Sequence, residues 1–240
     1  MGKTKPQDLE QALAEAVAAG GSLAERLKLF AEHFKALRPD YAASYDRLVA
    51  RLASAGAGAT APRVGDPFPD VMLPDGSGHL RSLGDLLSTG PLVLSFKRGR
   101  WCHFCRIEIE ALVRAYSNIK ALGAEVVVIT PERAPEFPTA GDIHGAPFPL
   151  LTDVDCGFAL TIGIAMPLDQ QLVDMLQRDG IRLTESHVGS ANILPLPATF
   201  VVSPDRRVAA RFVSPDFRAR METRDVLAAL DDLLSDRRPS

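Results

Sequence analysis

Apolar side chains recur at helical spacing through the first 54 residues: Leu23, Leu27, Phe30, Phe34 and Leu37, then Tyr41, Tyr45, Leu48 and Leu52. Steps of three and four place each set on one stripe of a helix, so the pattern predicts amphipathic helices that bury a single face. Ser22, with Glu25 three residues later, has the form of a capping box, and Pro39 is the expected stop of the helix that starts there. A first helix is predicted over 7–19, ending at Gly20-Gly21. The apolar stripe is expected to pack onto the rest of the chain, with a second copy, in a homodimer, as the alternative cover. Ala55 to Pro62 is a run of small residues with neither periodicity nor bulk, and it reads as a linker. The chain therefore divides into a helical extension and linker, 1–60, and a main domain, 61–240.

From Val64 the pattern changes to short apolar runs alternating with helical stretches, as in an α/β layer fold. Val71–Leu73 and His79–Leu83 flank Asp75-Gly76-Ser77-Gly78 as a hairpin would. Pro91–Phe96 and Ala124–Thr130 are continuously apolar, which suits strands buried on both faces, and a helical stretch of about 18 residues separates them. Further strands are expected at Phe148–Leu151, Ala198–Val202 and Val208–Val213, short helices within 155–195, and a terminal helix over 222–235.

Charge excludes more than it suggests. With 27 basic and 30 acidic residues among 240, the chain has no positive excess to bind a phosphate backbone, so nucleic acid is not an expected partner. Met1 to Gln11 is polar, and no run approaches the roughly 20 apolar residues of a bilayer span, so a cytoplasmic protein without membrane partners is expected. Three cysteines, an odd and small number, do not make a disulfide framework.

Two of them, Cys102 and Cys105, form a Cys-x-x-Cys pair between a buried strand and a helix, in Phe96-Lys97-Arg98-Gly99-Arg100-Trp101-Cys102-His103-Phe104-Cys105. A thiol at the first turn of a helix faces unpaired N–H groups and the positive end of the dipole, which favour thiolate, and the second thiol reaches it across one turn. Arg98, Arg100 and His103 add positive charge if their side chains turn toward the sulfur. Structural zinc is an alternative, but the second half-site is missing, and Cys156, His144 and His187 would have to converge on the pair. A pair of inert buried thiols is another. No cofactor or metal is expected. Cys156 is expected to be an unreactive turn residue, and His33, His79, His144 and His187 have no spacing that singles them out. Hydrolase and nucleotide motifs are absent.

From Val64 onward, about three quarters of the chain, the sequence resembles peroxiredoxin-like proteins of the alkyl hydroperoxide reductase/thiol-specific antioxidant type, a branch of the thioredoxin-fold superfamily. The resemblance is carried by Val64-Gly65-Asp66-Pro67 with Pro69 and Leu73-Pro74-Asp75, by Trp101 to Cys105 after the Phe96 strand, by Val127 to Pro131, and by Leu196-Pro197-Ala198-Thr199-Phe200. It implies a thioredoxin-like α/β fold, a central mixed sheet flanked by helices, and a cis Leu196–Pro197 bond facing the Cys pair. Peroxiredoxins show a Pro, a Thr or Ser four positions later, and the peroxide-attacking Cys three positions after that. Aligned on Phe96, this puts Arg98 at the Pro, Cys102 at the Thr and Cys105 at the attacking Cys, whereas the thioredoxin register makes Cys102 the nucleophile. Pro197 stands where peroxiredoxins place an arginine near the strand start, so the guanidinium of the site must come from Arg98, Arg100 or farther away. Phe96 stands where thioredoxins keep a buried acid.

The activity expected is thiol-dependent reduction of hydrogen peroxide or an organic hydroperoxide, with Cys102 attacking, Cys105 resolving and Arg98 and Arg100 holding the thiolate and the leaving oxygen. An external thiol, from a thioredoxin-like protein or glutathione, resets the pair. Trp101 and Phe104 are expected to be packing residues. Thiol–disulfide exchange on protein or glutathione disulfides is the alternative enzyme, and a redox-sensing module without turnover the alternative of another class.

Overall fold

A computed structural model describes residues 6–133, 146–189 and 192–235; His144, one of the candidate zinc ligands, lies outside them. The extension is three helices, α1 (Leu9–Ala18), α2 (Leu23–Leu37) and α3 (Pro39–Ser54). The capping box is present: Ser22 Oγ accepts the Glu25 N–H and the Glu25 side chain accepts the Ser22 N–H. Two further N–H groups at this helix start, of Leu23 and Ala24, donate to the carboxylate of Glu222 at 3.0 and 2.8 Å, which joins the extension to a segment far along the chain. Pro39 ends α2 and opens α3, where its missing N–H costs nothing.

The hairpin pairs β1 (Met72–Pro74) with β2 (Leu80–Ser82) and leads into the short α4 (Leu83–Leu87). Next come β3 (Leu92–Phe96), α5 (His103–Ala121), β4 (Glu125–Thr130) and β5 (Leu150–Thr152). After a 3₁₀ turn at Val154–Cys156 follow α6 (Gly157–Thr161), β6 (Ala165–Pro167), α7 (Gln170–Arg178), α8 (Leu183–Ser186) and β7 (Ile193–Pro195). The chain then forms β8 (Ala198–Val202), β9 (Val208–Val213) and α9 (Thr223–Ser235). The expected strands and long helices are all present. The sequence pattern did not foretell that β6 and β7 pair as a separate antiparallel ribbon closing the 155–195 insertion.

The central sheet has the order β5-β4-β3-β8-β9, with β3, β4 and β5 parallel and β8 and β9 antiparallel, the mixed α/β sheet expected. Every residue of β3 and β8 is buried, as their unbroken apolar runs require. Strand alternation sends Phe96 to one face, where it meets Phe158 and Phe200. It sends Ser95, with Thr199 opposite it, to the face covered by α5.

One expectation is corrected. The Leu196–Pro197 bond is trans, and there is no cis bond among the described residues. Trans is the intrinsic preference by roughly 0.5–1 kcal/mol. Hydrogen bonds hold the segment in that form, with the Leu196 N–H donating to the Ile164 carbonyl at 2.7 Å and the Pro197 carbonyl accepting the Ser214 N–H at 3.2 Å. The Ala55–Pro62 segment is a chain of turns that runs beside β9: Ala61 is buried, and a side chain at Gly58 would meet Val213. Among the described residues no helix is long and apolar enough to cross a membrane.

Candidate active site

After β3 the chain turns sharply at Gly99, whose φ of +147° and closeness to Trp101 and Glu132 leave no room for a side chain. The turn delivers Cys102 to the N-cap of α5, where its Sγ accepts the Cys105 N–H at 3.3 Å. A sulfur thus occupies the place usually taken by a capping oxygen, at the positive end of the helix.

Two more donors converge on this atom. Arg98 Nη2 lies 3.0 Å away and Cys105 Sγ 2.7 Å away. The two sulfurs are unbonded, yet a small adjustment separates them from the roughly 2.05 Å of a disulfide. Arg98 is buried, with its guanidinium carbon 4.0 Å above the Phe217 ring and 5.3 Å from that of Trp101. On the far side Arg220 Nη2 lies 3.4 Å from Cys105 Sγ.

Behind the sulfurs is a buried ionic network. Glu108, one turn after Cys105, pairs with both Lys97 and Arg220 and accepts hydrogen bonds from Ser95 Oγ at 3.0 Å and Thr199 Oγ1 at 3.4 Å. Burial works against ionisation of Glu108, but Lys97 and Arg220 overcome it and hold its pKa below the ordinary carboxylate value. Lys97, Arg98 and Arg220 against Glu108 leave a cationic surplus around the thiols.

Burial also opposes ionisation of both cysteines. Against it, the hydrogen bond to Cys102 and the charges of Arg220, Arg98 and Lys97 bring the Cys105 pKa well below the usual thiol value. Burial, the hydrogen bond from Cys105 and the negative charge there push Cys102 well above it. The two sulfurs share one hydrogen bond and titrate as a pair, and a charge placed on Cys102 is met by Arg98, the Cys105 N–H and the Cys105 thiol.

Of the residues expected here, Cys102, Cys105 and Arg98 come together. Arg100 does not: its side chain is half exposed and turns to Glu132, whose carboxylate also accepts the Arg100 N–H at 2.7 Å. His103 does not either. It stacks on Phe30 at 5.3 Å and lies 3.5 Å from Glu10, and burial lowers its pKa below the ordinary imidazole value. Pro197 lies beside the Ala198–Phe96 pair at the end of β3, bordering the site through the backbone. Phe104 packs against Phe30 and Phe217, as expected, and Trp101 lies over Arg98. Cys156 is buried in its turn, donating to the Ile193 carbonyl at 3.3 Å, and burial raises its pKa. Its neighbours hold no group of metal-ligand geometry, and no such group of His, Cys, Asp and Glu exists among the described residues.

Sequence reasoning missed Lys97, Glu108 and Arg220. Glu108 had a signal, since it shares the helical face of Cys105 and Leu112, and so did Lys97, since it alternates with Ser95. Arg220 lies in an irregular stretch before α9 and had none.

Cys102 lines a small cleft of about 40 Å³ that opens to solvent. Its walls come from three separate parts of the chain: Phe34, Tyr41 and Tyr45 of the extension, Arg98 and Trp101 of the loop after β3, and Leu176, Asp179 and Ile181 of the insertion.

The AhpC/TSA family profile matches residues 64–211. Among solved structures, the peroxidoxin BcpB from Mycobacterium tuberculosis is 24% identical with a TM-score of 0.52, covering 72% of this chain and 98% of its own. A mutant of peroxiredoxin 6 from Arenicola marina is 16% identical with a TM-score of 0.55, covering 73% and 76%. AhpC from Mycobacterium tuberculosis is 18% identical with a TM-score of 0.50, covering 74% and 96%. No curated protein matches the chain. At these identities the likeness is one of fold, and the fold is thioredoxin-like.

Proposed function

The chain belongs to the AhpC/TSA family of thiol-dependent peroxidases, and we propose that it reduces hydroperoxides through the Cys102–Cys105 pair. The observation that carries this reading is the convergence of Arg98, the Cys105 N–H and the Cys105 thiol on one sulfur at the wall of an open cleft. Cys102, as thiolate, attacks the distal oxygen of the hydroperoxide. A sulfur–oxygen bond forms, the O–O bond breaks, and the leaving oxygen takes the proton of Cys105 to become water or an alcohol. Cys105, now a thiolate beside Arg220, attacks the sulfenic sulfur; the disulfide closes and hydroxide leaves. Sulfur has lost two electrons and the peroxide has gained them. An external thiol, from a thioredoxin-like protein or glutathione, returns two electrons to the pair. A cytoplasmic setting, with its reducing thiol pool, suits this cycle. In this reading residues 61–240 form the catalytic domain and 1–60 an extension of it.

Exchange with protein disulfides fits less well, because Cys102 is only 2% exposed and Cys105 fully buried. A sensor module offering the extension's apolar face to a partner fits less well still, because that face is already packed on α5 through Phe30, Phe34 and Phe104.

Single-cysteine variants test the assignment. Cys102→Ser is expected to abolish hydroperoxide turnover, while Cys105→Ser forms one equivalent of sulfenic acid, trapped by dimedone, and then stops. Full turnover in Cys102→Ser, with loss only in Cys105→Ser, exchanges the two roles. Turnover by both rejects the mechanism.

A further inference from the structure

We infer that the cleft where the starts of α2 and α9 meet α5 binds a small molecule through a phosphate group, held by Arg26 and Arg114. This cleft shares no lining residue with the one beside Cys102, so the site stands whether or not that sulfur reacts with peroxide. On α5, Ala111 and Ala115 are one turn apart and buried, with Arg114 and Asn118 exposed beside them, so small side chains leave a hollow that a cation borders. The cleft is open and measures about 460 Å³, within the range of small-molecule sites.

Arg26 of α2 lines the same cleft although it is only 4% exposed. Its Nε donates to the Ala16 carbonyl at 3.1 Å, while its Nη2 is buried with no hydrogen-bond partner among the described residues. Arg114 Nη2 donates to the Val17 carbonyl at 2.7 Å. The last carbonyls of α1 therefore fix two guanidinium groups near each other, and each has donors beyond the one it gives to α1.

A buried arginine is ordinarily paired with an acid. The acids acting on Arg26 are Glu110 and Glu222, and neither reaches Nη2. Glu222 gives its two oxygens to the Leu23 and Ala24 N–H groups, and Glu110 is exposed on α5. Burial and the like charge of Arg114 hold the Arg26 pKa below the ordinary guanidinium value, against the pull of both acids. An anion seated between the two arginines relieves this conflict, because it accepts from the open N–H groups and offsets like charges that the fold keeps together. Arg224, exposed beside Asp225, and the positive end of α9 border the same opening. Phosphate suits the place better than a carboxylate, since it brings about two charges and three acceptor oxygens to two guanidinium groups.

The test is isothermal titration calorimetry on the full-length protein with inorganic phosphate, AMP and, as the uncharged control, adenosine. Both phosphates are expected to bind and adenosine to give no heat. Tighter binding of AMP makes a phosphate ester the source of the group, and equal affinities make it free phosphate. Arg114→Met, at an exposed position, is expected to weaken both phosphates roughly tenfold or more, the loss of a charge-assisted contact. Arg26→Met is expected to do the same, and if circular dichroism shows that this buried variant does not fold, Arg114→Met decides. Arg182→Met removes an exposed arginine from the insertion and is expected to leave binding unchanged. No heat from either phosphate up to about 10 mM overturns the site. So does adenosine binding as tightly as AMP, affinity that Arg114→Met does not change, or equal weakening by Arg114→Met and Arg182→Met.

Discussion

Arg98 Nη2 lies 3.0 Å from Cys102 Sγ, and the guanidinium that makes this contact cannot swing away, because the Phe217 ring holds it 4.0 Å below and Trp101 flanks it. A charge-assisted hydrogen bond of this kind contributes about 1.5–3 kcal/mol. Arg98→Met is therefore expected to slow reaction of Cys102 with peroxide by roughly 10–100-fold and to move the pH midpoint of its alkylation by iodoacetamide upward. Arg98→Lys is expected to recover little, since an ammonium lacks the planar face that stacks on Phe217. An unchanged alkylation profile in Arg98→Met would show that the thiolate draws its stability from elsewhere.

Glu108 sits between Lys97 and Arg220 with almost no solvent contact. Glu108→Gln leaves two buried cations facing each other and is expected to cost about 3–5 kcal/mol of folding stability in urea titrations. Adding Lys97→Met to Glu108→Gln is expected to restore part of the loss, so the double variant should be more stable than the single one. The pH dependence has a fixed sign. The folded pKa of Glu108 lies below its unfolded value of 4.5, so its contribution is complete above that value and is lost as pH falls through the folded pKa. Glu108→Gln should remove this part of the acid sensitivity.

The extension is anchored to α5 by rings. Phe30 is fully buried against Phe104 at 5.0 Å, His103 at 5.3 Å and Phe34 at 6.0 Å. Phe30→Ala is expected to destabilise the whole chain by about 3–5 kcal/mol, the cost of a large core cavity. A loss below about 1 kcal/mol, measured by urea unfolding, would mean that α2 is not part of the cooperative core.

What was legible in the sequence was local. Periodicity marked β3, α5, β8 and the three N-terminal helices, and Ser22 with Glu25 marked the start of α2, because these signals need only near neighbours. The Cys-x-x-Cys pair was legible for the same reason. Tertiary placement was not. Arg98 and Arg100 have equal claims in the string, but the Gly99 turn between them sends one to the sulfur and the other to Glu132. Arg220 reaches Cys105 from an irregular segment, and the isomer at Pro197 is settled by partners at Ile164 and Ser214 that no nearby residue announces. Glu108 could have been read, as the one acid on an otherwise apolar helix stripe that includes Cys105.

His187 supplies a pH response at the back of the site. It lies in the insertion, bridged to Glu132 after β4, and its ring hydrogen-bonds the Arg98 backbone. Burial lowers its pKa from 6.5 to about 4, with the hydrogen bond pulling the other way, so the folded chain keeps it neutral at neutral pH. The unfolded chain takes up a proton near 6.5 and the folded one only near 4, so stability is full above 6.5 and falls as pH drops through that window. A shift of this size corresponds to about 3 kcal/mol. His187→Gln keeps a donor for the Arg98 carbonyl but cannot be protonated. Urea unfolding between about pH 7 and pH 4.5, above the range in which Glu108 is lost, should show the wild type losing stability across the window and His187→Gln losing much less. Equal slopes in the two proteins would show that the buried imidazole is not what senses acid here.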